Sequence, residues 1–61
     1  ANAEGYYLKA IIGARTSNEE MLLQNLKAAI EKDDTLKAKA KSDAEFLNYR
    51  ESQAFTTLLG M

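Results

Sequence analysis

Proline, histidine, cysteine, tryptophan and valine are all missing from this chain, and glycine occurs only three times. Without proline, few positions along the chain break a helix. Without valine and tryptophan, the strand-forming set shrinks. The absence of cysteine excludes disulfides and thiolate metal sites. With histidine gone as well, zinc, haem and transition metals lose their usual ligands. The two side chains most used for proton transfer and nucleophilic attack near neutral pH are then also missing. Nor is there a large excess of charge of either sign. Eight basic residues face nine acidic ones, a formal net charge of -1. Such a balance gives no general attraction to nucleic acid or to anionic membranes. No run approaches the roughly 20 apolar residues of a membrane span, and no leader segment is visible.

What remains is rich in Ala, Leu, Lys and Glu. With 61 residues the chain makes a single helical domain, 1–61. A chain of this size buries only about 60% of the surface it exposes when unfolded, so its stability is marginal. Small scaffolds commonly need a staple. Disulfide and metal being excluded, the staple expected here is another protein chain.

Residues 1–5 are small and polar and are expected to fray. From Tyr6 the pattern is helical, and it predicts a first helix near 5–15 with Leu8, Ile11 and Ile12 on one face. Gly13 weakens that helix by about 1 kcal/mol relative to Ala. Ser17-Asn18-Glu19-Glu20 reads as a capping box, with Ser17 as the cap. The second helix, near 18–32, carries Leu22, Leu23, Leu26, Ala29 and Ile30 as an amphipathic stripe. Either Asp33 or Asp34 can cap a third helix. That helix is expected to run from about 34 to 59, lined by Leu36, Ala40, Leu47, Ala54 and Leu58. Gly60 stands where a helix-ending glycine belongs. Ser42-Asp43-Ala44-Glu45 is a second capping box and offers an alternative: a helix over 35–41, a bend, and a helix over 43–59. The continuous helix is preferred, because nothing before Ser42 breaks it and Lys and Ala propagate helix well. The predicted fold is all-α: a small three-helix bundle, or a helical hairpin with a long C-terminal helix.

Residues 46–59 place apolar groups on every side of that helix, and a helix apolar all round is normally buried. Two helices of half its length cannot easily cover three flanks. The surplus is expected to meet a partner or a second copy through Tyr6, Tyr7, Phe46, Tyr49, Phe55 and Leu59, since aromatic residues favour interfaces.

Other constellations read as ordinary surface. Tyr49, Arg50 and Glu51 are consecutive and point in different directions on a helix. Glu31, Asp33 and Asp34 lack the glycine and the spacing of a calcium loop. Lys37, Lys39 and Lys41 do not share one face and are flanked by acids, so no nucleic-acid footprint forms. The Tyr6-Tyr7 segment has too few cations for a membrane surface. The expected function is a non-catalytic structural or interaction module, a subunit of a homo- or hetero-oligomeric assembly. The alternative is a small helical regulator that inhibits, or grants immunity against, one protein target. No enzyme activity, cofactor, metal or small-molecule substrate is expected. The chain reads as soluble, either cytoplasmic or part of a viral or secreted assembly.

Overall fold

The computed structural model describes residues 2–60, and among them every regular element is helical. Helix α1 spans Ala3–Arg15 and α2 spans Glu19–Lys32. Helix α3 spans Thr35–Ser42, a 3-10 helix covers Ala44–Tyr49, and α4 spans Gln53–Leu59.

The N-terminus holds further out than expected. Asn2 caps α1, its side chain accepting from the Gly5 N–H at 2.8 Å. That bond satisfies a donor the helix itself leaves open, so Ala3, Glu4 and Gly5 are helical rather than frayed. Met61, the end of the apolar C-terminal tetrapeptide, lies outside the described residues, as does Ala1.

The link between α1 and α2 is Thr16-Ser17-Asn18. Ser17 takes φ 58°, the left-handed region. The Asn18 N–H reaches back to the Gly13 carbonyl at 2.8 Å and the Ser17 N–H to that of Ala14 at 3.3 Å. This is a Schellman closure with Ser17 at the left-handed position. Ser17 is therefore committed to ending α1 and does not cap α2. Asn18 does, accepting from the Met21 N–H at 3.1 Å. The turn sends α2 back along α1, and Lys32 at the end of α2 sits 5.7 Å above the Tyr6 ring at the start of α1.

Gly13 is buried where the two helices come closest. A Cβ there would stand 2.7 Å from the Leu22 nitrogen and 3.0 Å from the Asn18 oxygen. On the hairpin's inner side, Tyr7 and Ala10 of α1 meet Leu22, Leu26 and Ala29 of α2.

The long C-terminal helix does not form. Its sequence breaks twice, at Asp43 and at Ser52, both extended with ψ 124°. The first break matches the alternative reading, with Asp43 rather than Ser42 as the cap: its carboxylate accepts from the Glu45 N–H at 3.0 Å. At the second, the Ser52 hydroxyl accepts from the Phe55 N–H at 3.4 Å and donates to Glu19 of α2. The reason is geometric. An unbroken helix of 25 residues would be nearly 40 Å long, against a longest molecular dimension of 28 Å. It would also carry Phe46 and Phe55 on different flanks. The two breaks turn those flanks toward one hairpin. Asp33 accepts from the Thr35 N–H at 3.1 Å and so makes the turn into α3. At the other end, Gly60 closes α4 at φ 70°, as the sequence predicts.

The core that results comprises Tyr7, Ala10, Leu22, Leu26, Ala29, Leu36, Ala40, Phe46, Phe55 and Leu59. The radius of gyration is 9.9 Å, close to the roughly 10.5 Å of a compact domain this long.

Candidate functional site

Four of the six residues expected at an interface lie inside the chain. Phe46 and Leu59 are 0% exposed, Phe55 1% and Tyr7 4%. The three aromatic rings pack in series. Tyr7 meets Phe46 edge-on with centroids 5.6 Å apart, and Phe46 meets Phe55 at 5.7 Å. The sequence argument assumed an unbroken helix with flanks left over. Once the helix is broken, the chain covers those flanks itself. Tyr6 and Tyr49 are half-buried against the core. The ammonium groups of Lys9 and Lys32 lie over the Tyr6 ring at 5.6 and 5.7 Å.

A polar clasp ties α1 to the 3-10 helix. The Tyr7 hydroxyl donates to Asp43 at 2.6 Å. Arg15 donates Nε and Nη2 to the two carboxylate oxygens of Glu45 at 3.0 and 2.6 Å, a bidentate pair. The Lys39 ammonium lies 5.0 Å from the Tyr7 ring centre. Burial, followed by the bond to Asp43 and the charges of Asp43 and Glu45, raises the Tyr7 phenol well above its ordinary pKa. The Tyr7 hydroxyl, the Glu45 amide and the Lys39 charge together hold the Asp43 carboxyl below its ordinary range, against an opposing desolvation cost. The Arg15 hydrogen bond likewise lowers Glu45. The phenol is tuned to stay protonated and the carboxylates to stay ionised. All three shifts move away from the neutral range that proton transfer requires. The clasp is suited to holding α1 in place.

Apolar surface is left open next to the clasp. Leu8 is 59% exposed, Ile12 45% and Leu47 62%. Leu8 and Ile12 are four apart on α1 and share its outer face. Beside them an open groove of about 300 Å³ runs between α1 and α3. Leu8, Ile11 and Leu36 wall it, Tyr7 lies at its base, and Glu4, Lys39 and Asp43 bring charge to it. The sequence reading put Leu8, Ile11 and Ile12 on one face of α1; Leu8 and Ile12 stand exposed there, while Ile11 is half-buried against the core. The rest of the inner side is Ala3, Tyr6, Tyr7, Ala10, Gly13 and Ala14, a set of mostly small residues. Small side chains at helical spacing let two helices approach closely, and that was the available signal.

Among residues 2–60 no group of three acidic side chains converges to hold a metal ion. No helix among them is long and apolar enough to cross a membrane. No family model matches the chain, and no curated protein or solved structure matches it either.

Proposed function

We propose that this chain is a non-catalytic helical module that binds protein through the outer face of α1. The observation that carries this reading is the exposed pair Leu8 and Ile12, continuous with the groove walled by Ile11 and Leu36. A single exposed leucine is ordinary, whereas a contiguous apolar strip beside a groove marks a docking surface. Fully burying a Leu or Ile side chain stabilises by about 1.5–3 kcal/mol. Covering what is still open of Leu8 and Ile12 therefore contributes about 1 kcal/mol each. The face is tied to the rest of the chain. Gly13 seats α1 against α2, and the Tyr7–Asp43 and Arg15–Glu45 contacts join it to the 3-10 helix and its cap. A preorganised face loses less entropy on binding than a mobile one. A standard interface takes about 800 Å² from each partner. The whole chain exposes 3917 Å², so such an interface would occupy about one-fifth of it, roughly one face.

A photo-crosslinking residue placed at Leu8 tests this, with Gln24 on the solvated side of α2 as the control position. The expected result in native extract is a discrete protein adduct from position 8 and none from position 24. Ile12→Asp should abolish the adduct. An equal yield at both positions, or no adduct at position 8, would overturn the reading.

A further inference from the structure

The outer face of α1 is self-complementary, and we infer that its occupant is a second copy of this chain, its α1 running antiparallel. The inference rests on the docking reading above and specifies the partner. At about 100° per residue, Ile11, Glu4, Arg15, Leu8 and Ile12 fall within about 100° of arc on one side of the helix. From the N-terminal end, the stripe reads acid, three apolar residues, base. Glu4, Leu8 and Ile11 line the groove, Ile12 lies alongside, and the Arg15 side chain is 68% exposed.

Two such stripes match when one is turned end over end. A two-fold axis passing between Lys9 and Ala10 sets Glu4 of each copy opposite Arg15 of the other. The same axis sets Leu8 opposite Ile11, and closed two-fold pairing requires this kind of reciprocity. Parallel pairing would instead oppose Glu4 to Glu4 and Arg15 to Arg15, so the charges choose the direction. Arg15 is able to serve both contacts. Glu45 takes Nε and Nη2, which leaves the Nη1 edge of the guanidinium for a carboxylate across the interface. Lys9 lies about 60° beyond Ile12, flanking the stripe rather than within it. Helix α1 has 13 residues, about 20 Å of length. The contact is therefore smaller than a standard interface and belongs to the weak, reversible class.

The test uses three chains followed by sedimentation velocity from micromolar to millimolar concentration, with circular dichroism confirming each fold. Wild type should dimerise as concentration rises. Glu4→Arg should weaken that association about tenfold, because two rim pairs turn from attraction to repulsion. The double variant R15E/E45R keeps the intrachain pair with its signs exchanged, and it should weaken association similarly. An equimolar mixture of E4R with R15E/E45R should dimerise as wild type does, since both cross-interface pairs become attractive again. Wild type that stays monomeric at millimolar concentration would overturn the inference. So would a mixture no tighter than either variant alone. In either case a position-8 adduct with a different protein would leave the docking reading standing, and loss of all adducts would remove both.

Discussion

Replacing Gly13 by Ala sets helix propensity directly against packing. Propensity alone favours the change by about 1 kcal/mol, since Gly is among the poorest helix formers. The structure predicts the opposite sign. The new Cβ would lie 2.7 Å from the Leu22 nitrogen and 3.0 Å from both the Leu22 Cα and the Asn18 oxygen, whereas ordinary contact begins at 3.4 Å. All three atoms are backbone, so no side-chain rotation relieves the clash. The helices would have to part by about 0.7 Å, the difference between 2.7 and 3.4 Å. They would do so where the Gly13 carbonyl accepts from Asn18 to close the turn. Overpacking of this kind costs about 1–3 kcal/mol. Set against the propensity gain, the net loss is up to about 2 kcal/mol. Urea unfolding followed at 222 nm measures it. With a slope of about 1 kcal/mol/M for so small a chain, the midpoint should fall by up to about 2 M at unchanged slope. Gly5→Ala is the control. It lies on the exposed side of the same helix, and its Cβ would meet only the Asn2 side chain at 3.4 Å. That variant should be neutral or up to about 1 kcal/mol more stable. If Gly13→Ala raised the midpoint as Gly5→Ala does, the close approach of α1 and α2 would be wrong.

Ser17→Gly should raise stability by about 1 kcal/mol, because a side chain in the left-handed region costs that much and Gly pays nothing; the same urea assay reads it, and an unchanged midpoint would argue against φ 58° at Ser17. Phe55→Asp should abolish helicity at every protein concentration, since Phe55 is 1% exposed, whereas Leu8→Asp should leave the circular dichroism spectrum intact. Acid should destabilise the fold through Asp43. Its folded carboxyl titrates below the unfolded value of about 3.9, so its contribution is complete above that pH and is lost as pH falls through the lower folded value. Asp43→Asn should flatten the acid limb of a Tm-against-pH curve. Tyr7 works in the other direction. Its folded pKa is raised, so its contribution is complete below the unfolded value of about 10 and is lost as pH climbs above it. Tyr7→Phe should remove that alkaline loss.

Local signals carried the helical class and the first two helices, because capping residues and apolar stripes act over one or two turns. The third segment depended on a comparison the sequence does not display. Lys and Ala around Ser42 propagate helix well in isolation, yet the long helix loses to a broken chain that buries Phe46, Phe55 and Leu59 together. Tertiary burial outweighs propensity there, and Asp43 and Ser52 supply the caps that make the breaks inexpensive. Phe46, Phe55 and Leu59 are buried rather than offered to a partner for the same reason. Their flanks are surplus only on an unbroken helix. The turn at Ser17-Asn18 shows a finer limit. Both residues are good caps, and only the Schellman closure of α1 decides that Asn18 takes the role.

Breaking the C-terminal segment also changes which helix is left with exposed apolar side chains. The chain uses Tyr7, Phe46 and Phe55 to stabilise a small core that has no cysteine to staple it. Aliphatic Leu8 and Ile12 stay outside on the helix best anchored to the rest. The anchor and the proposed docking face share residues. Arg15 holds Glu45 and ends the exposed stripe of α1, while Tyr7 holds Asp43 at the base of the groove. Any partner that binds only the folded form therefore adds its binding free energy to a marginal fold. Loosening the clasp should weaken docking on the proposed face as well as the fold. Asp43→Asn joins the two effects in one chain: a lower Tm, and a weaker position-8 adduct with Leu8 and Ile12 unaltered.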